Sequence, residues 1–263
     1  MNITDIKFLH CEWTEIQSYV VDYLMANNIT IDSFWEGQVL DCNHYIIKMQ
    51  DHIIGYFSIH ESHTIWLYHV LPEYSKLSQE LFEKIKKYEQ VTSAMVTTGD
   101  EFFLSHCLDN FMKIEKQAYF SIYTDKEFPL ERKKELQLKL ADVEKDIDTL
   151  KLSGDFLNDL ISEIQAGADH IELYIVKEKD NVVGFGVIDY GRIISDSSST
   201  GMYVCESYRM QGYGANILHE MHLISQSKGY RAHSGCWYYN HNSKKTMESA
   251  GAYIKTRLIK FHF

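Results

Sequence analysis

The pattern of hydrophobic and polar residues predicts short strands and amphipathic helices along the first half of the chain. Apolar residues at helical spacing predict helices over 14–26, 77–89 and 102–116. Runs rich in β-branched and aromatic residues predict strands over 3–9, 43–49, 53–60, 64–70 and 91–97. A polar turn at Gln50-Asp51 joins two of these strands into a hairpin. We therefore expect a mixed α/β domain.

The second half repeats this order of elements. Strands are predicted over 135–141, 170–177, 181–190, 200–205 and 231–239, and helices over 143–165, 212–227 and 242–250. The segment QDHIIGYFSI (50–59) resembles KDNVVGFGVI (179–188), and VLPEYSKLSQEL (70–81) resembles VCESYRMQGYGA (204–215). Two similarities in the same order indicate an internal duplication.

A linker is predicted between the two halves. Residues 125–134 are polar and rich in charge, and Pro129 is one of only two prolines in the chain. The expected domains are therefore residues 1–127 and 128–263.

Composition narrows the class of protein. The five cysteines are scattered without a C-x-x-C pair, which is typical of reduced thiols in a cytosol. The N-terminus lacks a basic start followed by an apolar run, and no apolar stretch approaches the ~20 residues that a membrane span requires. We expect a cytoplasmic protein that does not associate with a membrane. Its oligomeric state is left open.

Negative charge is concentrated in the first half. Residues 1–127 hold 9 Lys and Arg against 19 Asp and Glu, whereas residues 128–263 are nearly neutral, with 17 against 18. This balance argues against nucleic acid as a partner, because phosphate binding needs a basic surface. It is compatible with a cationic ligand, although the same charge could serve solubility alone.

Two glycines stand one residue apart before a predicted helix, at Gly212 and Gly214. The exposed N–H groups of a helix N-terminus bind anions, and glycine lets a bulky phosphate approach the backbone. A Walker loop is excluded because no G-K-[ST] is present. A dinucleotide-binding motif is excluded because Ile217 occupies the position of its third glycine. A merely tight turn remains the simpler alternative.

These residues resemble the GNAT superfamily of acyl-CoA-dependent N-acyltransferases. Arg209–Ala215 fits its Q/R-x-x-G-x-G/A signature, and Val204 precedes it at the predicted strand end. A second landmark is an Asn after the next strand, with a small residue three later, an aromatic seven later and a Gly eleven later. Asn240, Ser243, Met247 and Gly251 occupy these slots. The resemblance implies an α/β fold with two tandem GNAT-like domains, each a mixed, mostly antiparallel twisted sheet flanked by helices.

The resemblance also implies acetyl-CoA as the acyl-donor cosubstrate. The pantetheine arm is expected along the backbone of 202–204, where the fourth and fifth strands of the domain separate. The pyrophosphate is expected on the N–H groups of the loop. The implied cofactor-binding residues are Met202, Tyr203, Val204, Arg209, Met210, Gln211, Gly212, Tyr213, Gly214, Ala215, Asn240 and Ser243.

The first half lacks this loop. Ser75 replaces the arginine, and Ser78 and Glu80 replace the two glycines. A carboxylate beside a pyrophosphate would be repulsive. We therefore expect residues 1–127 to be a degenerate copy and residues 128–263 to bind the acyl-CoA.

The catalytic residues of the family are not matched. The slot of its usual tyrosine acid is Met247, and the slots of its glutamate bases are Ser198 and Gly235. The candidate substitutes are Asp196 and His233, each two residues before an unmatched slot, although either could instead have a purely structural role.

No metal is expected. His219-x-x-His222 and His233-x-x-Cys236 have the spacing of zinc ligands, but they fall on a predicted helix and a predicted strand.

The expected function is transfer of an acetyl or short acyl group from acetyl-CoA to a primary amine of a small, cationic acceptor. The alternative is a non-catalytic acyl-CoA-binding or regulatory module, which the unmatched catalytic slots favour.

Overall fold

A computed structural model describes residues 6–61, 63–88, 90–124, 130 and 133–263. The chain forms two compact units. The first consists of the chain up to Ala118 together with Thr256–Phe263, and the second is Tyr119–Lys255. Most of the predicted linker, including Pro129 and the expected boundary at 127/128, lies outside the described residues.

The first unit is an α/β structure built on one sheet. Its elements are β1 (Ile6–Cys11), α1 (Trp13–Ala26), α2 (Ser33–Leu40), β2 (Asn43–Met49), β3 (His52–His60), β4 (Thr64–Val70), α3 (Ser78–Lys86), β5 (Ser93–Thr97) and α4 (Glu101–Leu108). The strands follow the order β1-β2-β3-β4-β5, antiparallel except for the parallel pair of β4 and β5. Its core places Phe57 and Tyr68 of the sheet against Phe82 of α3.

The second unit repeats this plan. Its elements are β6 (Lys113–Tyr123), β7 (Gln137–Leu140), α5 (Ile147–Leu150), α6 (Asn158–Gln165), β8 (Ile171–Glu178), β9 (Asn181–Tyr190), β10 (Ser197–Val204), α7 (Tyr213–Ser227), β11 (Arg231–Trp237), α8 (His241–Ser249) and β12 (Ala252–His262). The strand order is β6-β11-β10-β9-β8-β7, and β10 and β11 form its parallel pair. The predicted mixed, mostly antiparallel fold is confirmed.

Helices cover both faces of the second sheet. Val187 of β9 packs in the cluster that contains Ile161 of α6, whereas the next residue, Ile188, packs in the cluster of Ile217 and Met221 of α7. Successive strand residues point to opposite faces, so one strand anchors both helical layers. This packing fixes the start of α7 beside the end of β10.

Strands β6 and β12 each have residues in both units. The end of β12 pairs antiparallel with β5, with His262 opposite Ser93. The end of β6 joins the second unit, where the Ser121 hydroxyl donates to the Ser234 carbonyl at 2.9 Å. The first unit therefore includes the end of the last strand of the chain, and the second unit includes the end of a strand that begins in the first.

Two local predictions were wrong, and one helix was not predicted. The helix predicted over 102–116 ends at Leu108, and β6 begins at Lys113. The helix predicted over 143–165 is interrupted at Gly154, whose φ of 60° is left-handed. Helix α2 had no predicted counterpart, and Asp32 begins it by accepting a hydrogen bond from the Trp35 N–H.

Candidate acyl-CoA site

The central feature of the second unit is the separation of β10 from β11. The parallel pairing covers only Ser197–Ser199 against Arg231–His233. On its other side, β10 remains paired with β9 as far as Val204. The edge of β10 from Thr200 to Val204 is therefore turned towards a gap rather than towards a paired strand. An extended amide chain can form backbone hydrogen bonds at such an edge.

The loop after β10 leads into a helix whose N-cap residue has no side chain to cap the first turn. Gly212 occupies the N-cap position of the 15-residue α7 and has no side chain to accept from the first turn. Arg209 folds back, and its Nε donates to the Val204 carbonyl at 3.1 Å. Gln211 likewise donates to the Ser207 carbonyl at 3.0 Å. Because uncapped N–H groups and the helix dipole attract anions, this turn can bind phosphate.

Glycine is required at the two positions of the loop for different structural reasons. Gly212 has a φ of 89°, a left-handed conformation that only glycine adopts at low cost. At Gly214, an added Cβ would come within 3.0 Å of the Thr246 methyl and 3.3 Å of the Met202 sulfur. Gly214 thus lets α7 pack closely against β10 and α8. From sequence, this glycine was expected only to let a phosphate approach the backbone, and its packing role was not predicted.

Asn240 and Ser243, the predicted second landmark, begin α8. The Asn240 side chain accepts a hydrogen bond from the Ser243 N–H at 3.1 Å. The pair therefore has a structural role as a helix cap, at the end of the strand that faces the gap.

A basic pocket adjoins the first turn of α7. It has a volume of about 520 Å³, and its lining holds three lysines and two glutamates: Lys133, Lys134, Lys179, Glu135 and Glu178. The Lys134 N–H donates to the Asn216 side chain at 2.8 Å, and its ammonium lies 4.5 Å from the centre of the Tyr213 ring. Three lysines thus lie near the proposed phosphate loop. The loop motif alone did not indicate them.

Buried hydroxyl groups converge where β10 and β11 separate. The Thr200 hydroxyl lies 2.7 Å from that of Ser234 and donates to the His233 carbonyl at 2.9 Å. The Tyr123 hydroxyl lies 3.2 Å from that of Ser234, and its ring stacks on His222 of α7 at 4.2 Å. Burial raises the pKa of Tyr123, so this phenol is protonated at neutral pH. Sequence reasoning missed Tyr123 because it belongs to β6.

His233 lies at the last paired position before the gap. Burial, with Arg231 and Lys255 adding positive charge nearby, lowers the pKa of His233 to about 4. Its Nδ1 is buried without a hydrogen-bond partner within the described part of the chain. His233 is therefore neutral at physiological pH and has an unused ring nitrogen.

Asp196 is placed differently. It precedes β10, so the paired stretch Ser197–Ser199 lies between it and the open edge. Its carboxylate is half exposed and forms an ion pair with Arg231 at 2.6 Å. The hydrogen bond from Arg231 lowers the pKa of Asp196. The structure thus does not bring this candidate base to the gap, because the strand begins one residue after it.

Met247 is a core residue. Only 2% of it is exposed, and its sulfur lies 3.7 Å from the Ser121 hydroxyl. A thioether has no proton to donate, so Met247 cannot act as the acid that the sequence resemblance associates with this position.

In the first unit, β4 and β5 separate as β10 and β11 do in the second, but different side chains lie beyond the point of separation. β4 and β5 pair only through Thr64–Ile65 and Ser93–Ala94. Beyond this point, the Tyr68 hydroxyl donates to the carbonyl of Ser78, the first residue of α3. The Ser78 hydroxyl lies 2.8 Å from Nε2 of His106. Side chains thus occupy the region that corresponds to the open loop of the second unit.

No group of three or more His, Cys, Asp or Glu residues that could hold a metal ion occurs among the described residues. Within the same residues, no helix is long and apolar enough to cross a membrane.

Comparison with known proteins gave one family match in sequence. Residues 12–124 match the model of an acetyltransferase (GNAT) domain. The sequence-based resemblance rested on the second half, so this match adds independent support from the first. No curated protein matches the chain significantly.

Solved structures resemble nearly the whole chain. A GNAT-family acetyltransferase from Colwellia psychrerythraea is 18% identical, with a TM-score of 0.82, covering 98% of this chain and 99% of that one. A GCN5-related N-acetyltransferase from Sphaerobacter thermophilus is 12% identical, with a TM-score of 0.66, covering 100% and 97%. A tandem GNAT protein from the clavulanic acid biosynthesis pathway is 10% identical, with a TM-score of 0.61, covering 98% of each chain.

These findings support the predicted GNAT-type acyltransferase. At identities this low, the structures demonstrate a shared fold, and the family model supplies the match in sequence. Residues 12–124 thus match a GNAT acetyltransferase domain model, and the chain shares its fold with GNAT proteins over nearly its whole length.

Proposed function

We propose that the second unit binds acetyl-CoA and transfers its acetyl group to the primary amine of a small cationic acceptor. The observation that carries this proposal is the open edge of β10 beside the uncapped start of α7. The edge offers backbone groups to the two amides of the pantetheine arm. The helix start offers N–H groups to the pyrophosphate.

The proposed reaction has a simple balance. The neutral amine nitrogen attacks the thioester carbonyl, the C–N bond forms and the C–S bond breaks. The attacking nitrogen loses a proton, and the departing thiolate gains one. His233 is neutral and can accept a proton, directly or through water. The protonated Tyr123 hydroxyl, linked to Ser234, can supply one.

The cationic acceptor is inferred from charge. The first half holds 19 acidic against 9 basic residues, an excess that a structural copy does not need for folding. Such a field would raise the local concentration of a cation and speed its capture. Exposed charges are screened by salt over a Debye length of about 8 Å at physiological ionic strength.

A panel of acceptors tests this proposal. With acetyl-CoA as donor, we expect thiol release with polyamines or aminoglycosides to exceed that with neutral or acidic amino acids. The kcat/KM of the preferred amine should fall as salt rises. Preference for an anionic amine, or a rate indifferent to salt, would contradict the cationic acceptor.

The alternative is an acyl-CoA-binding or regulatory module without catalysis. The buried Met247 in the acid slot favours it. Calorimetric binding of acetyl-CoA without thiol release on any amine of the panel would support this alternative.

A second test concerns the three lysines beside α7, which we propose hold the 3′-phosphate of CoA. A charge-assisted hydrogen bond contributes about 1.5–3 kcal/mol, so CoA should bind at least about tenfold more tightly than dephospho-CoA. Replacing Lys133, Lys134 and Lys179 together with glutamine should remove this difference. Calorimetric titration with both ligands measures it.

The control replaces three lysines that form ion pairs elsewhere in the same unit, Lys139, Lys145 and Lys151. It makes the same change in net charge and should preserve the preference for CoA. Equal affinity of the unaltered protein for CoA and dephospho-CoA would contradict the assignment of these lysines.

A further inference from the structure

The first unit contains an open pocket of about 690 Å³. Helix α1, the end of β4 and helix α4 form its walls. Its lining includes the aromatic side chains of Tyr19, Tyr23, His69 and Phe102 and the carboxylates of Asp22 and Glu101. No lysine or arginine is among the described residues that line it.

Aromatic rings form a continuous wall of the pocket. The rings of Tyr23 and His69 lie 4.1 Å apart, and His69 lies 5.1 Å from Phe102. Phe102 in turn lies 4.6 Å from His106. The faces of Tyr and Phe rings carry negative electrostatic potential and attract organic cations.

Acidic groups surround this wall. Asp22 and Glu101 are exposed, and neither forms an ion pair within the described part of the chain. Behind the wall, the Tyr23 hydroxyl donates to the partly buried carboxylate of Asp100 at 2.6 Å. This bond leaves negative charge next to the ring that faces the pocket.

The imidazole of His69 does not oppose a cation. Burial lowers the pKa of His69 to about 4, so the ring is neutral at physiological pH. Its Nδ1 is buried and has no hydrogen-bond partner among the described residues. The pocket therefore combines apolar surface, negative charge and an unused acceptor.

We propose that this pocket binds a small organic cation that carries an aromatic or alkyl group. The aromatic wall would hold the apolar part, and Asp22 and Glu101 would hold the charge. An anionic ligand would meet two carboxylates and no lysine or arginine among the described residues that line the pocket. The site is distinct from the proposed acyl-CoA site and does not depend on acyl transfer.

Three probes of similar size test the proposal on the full-length protein: phenethylamine, 2-phenylethanol and 3-phenylpropanoate, which are cationic, neutral and anionic at neutral pH. NMR titration follows the ring signals of His69 and His106. We expect saturable shifts with phenethylamine, at least tenfold weaker binding of 2-phenylethanol and no binding of 3-phenylpropanoate.

Substitutions test whether Asp22 and Glu101 are the carboxylates that bind the cation. Asp22→Asn combined with Glu101→Gln should weaken phenethylamine binding at least tenfold without changing the affinity for 2-phenylethanol. Glu73→Gln removes an exposed carboxylate that does not line the pocket and should leave phenethylamine binding unchanged. Tyr19→Leu should weaken phenethylamine through the aromatic wall, and thermal unfolding checks that each variant is folded.

Several outcomes would overturn the proposal. Equal binding of phenethylamine and 2-phenylethanol would mean that the pocket does not select charge. Unchanged affinity in the variant with both carboxylates replaced would mean that Asp22 and Glu101 are not the partners. The absence of shifts at His69 and His106 would mean that phenethylamine does not occupy this pocket.

Discussion

Replacing Gly212 with glutamate is expected to reduce acetyl-CoA affinity by at least a hundredfold while the protein stays folded. The new carboxylate would stand at the uncapped start of α7, where the proposed site needs negative phosphate groups instead. The left-handed φ of 89° would add strain of about 1–2 kcal/mol. Calorimetric titration with acetyl-CoA measures the loss, and denaturant unfolding measures the change in stability.

Gly229 offers a matched control at the other end of α7. Its φ is 86°, and an added Cβ would meet nothing within 4 Å. Gly229→Glu therefore introduces the same side chain at similar strain, and a negative charge at a helix C-terminus is the less favourable placement. It should destabilise the protein at least as much as Gly212→Glu and leave acetyl-CoA affinity unchanged. Equal loss of affinity in both variants would show that the loop is not the phosphate site.

The first unit supplies a second control. Glu80 occupies the slot of the second loop glycine there and pairs with Lys84 at 3.4 Å on the surface. Glu80→Gln should leave acetyl-CoA affinity unchanged, because we assign the cofactor to the second unit alone. A second binding event that this substitution alters would contradict a single site.

Replacing His233 with glutamine is expected to lower kcat about a hundredfold or more, the usual contribution of a positioned acid or base. Glutamine keeps a polar side chain at the strand position but cannot take up the proton. Acetyl-CoA affinity should be unchanged, because the backbone edge of β10 is untouched. Steady-state kinetics and calorimetry separate the two effects.

The pH profile identifies the same group. With a folded pKa of about 4, His233 is in its basic form above that pH, and the form that accepts a proton is lost only as pH falls towards 4. The acid limb of kcat should therefore lie near pH 4 rather than near 6.5. Lys255→Gln removes a positive neighbour and should move this limb to higher pH.

Asp196→Asn is the comparison variant. Its carboxylate is bound to Arg231 at 2.6 Å and lies outside the open stretch, so we expect less than a tenfold change in kcat. A large loss with Asp196→Asn and a small one with His233→Gln would reverse the assignment. An acid limb that stays in place in His233→Gln would also remove His233 from the mechanism.

Local elements were largely predictable from sequence. Strand β4 was predicted at its observed bounds, and the predicted start of α7 differs by one residue. The spacing of apolar residues predicts these elements, and glycines mark the ends of α7. Both signals are contained within a few neighbouring residues. The glycine loop was predictable for the same reason. The left-handed conformation at Gly212 is a requirement of a single residue, and it favours glycine at that position.

The sequence alone therefore predicted most of the strands and helices in their order, the duplicated plan and the position of the proposed anion-binding loop. Only the tertiary structure decided which strands complete each sheet, and with them the side chains at the gap. Tyr123 reaches Ser234 because β6 pairs in the second unit, and the strand start leaves Asp196 outside. Pairing between strands far apart in the chain depends on long-range hydrogen bonds and packing. These interactions leave no periodic pattern in the local sequence of either strand.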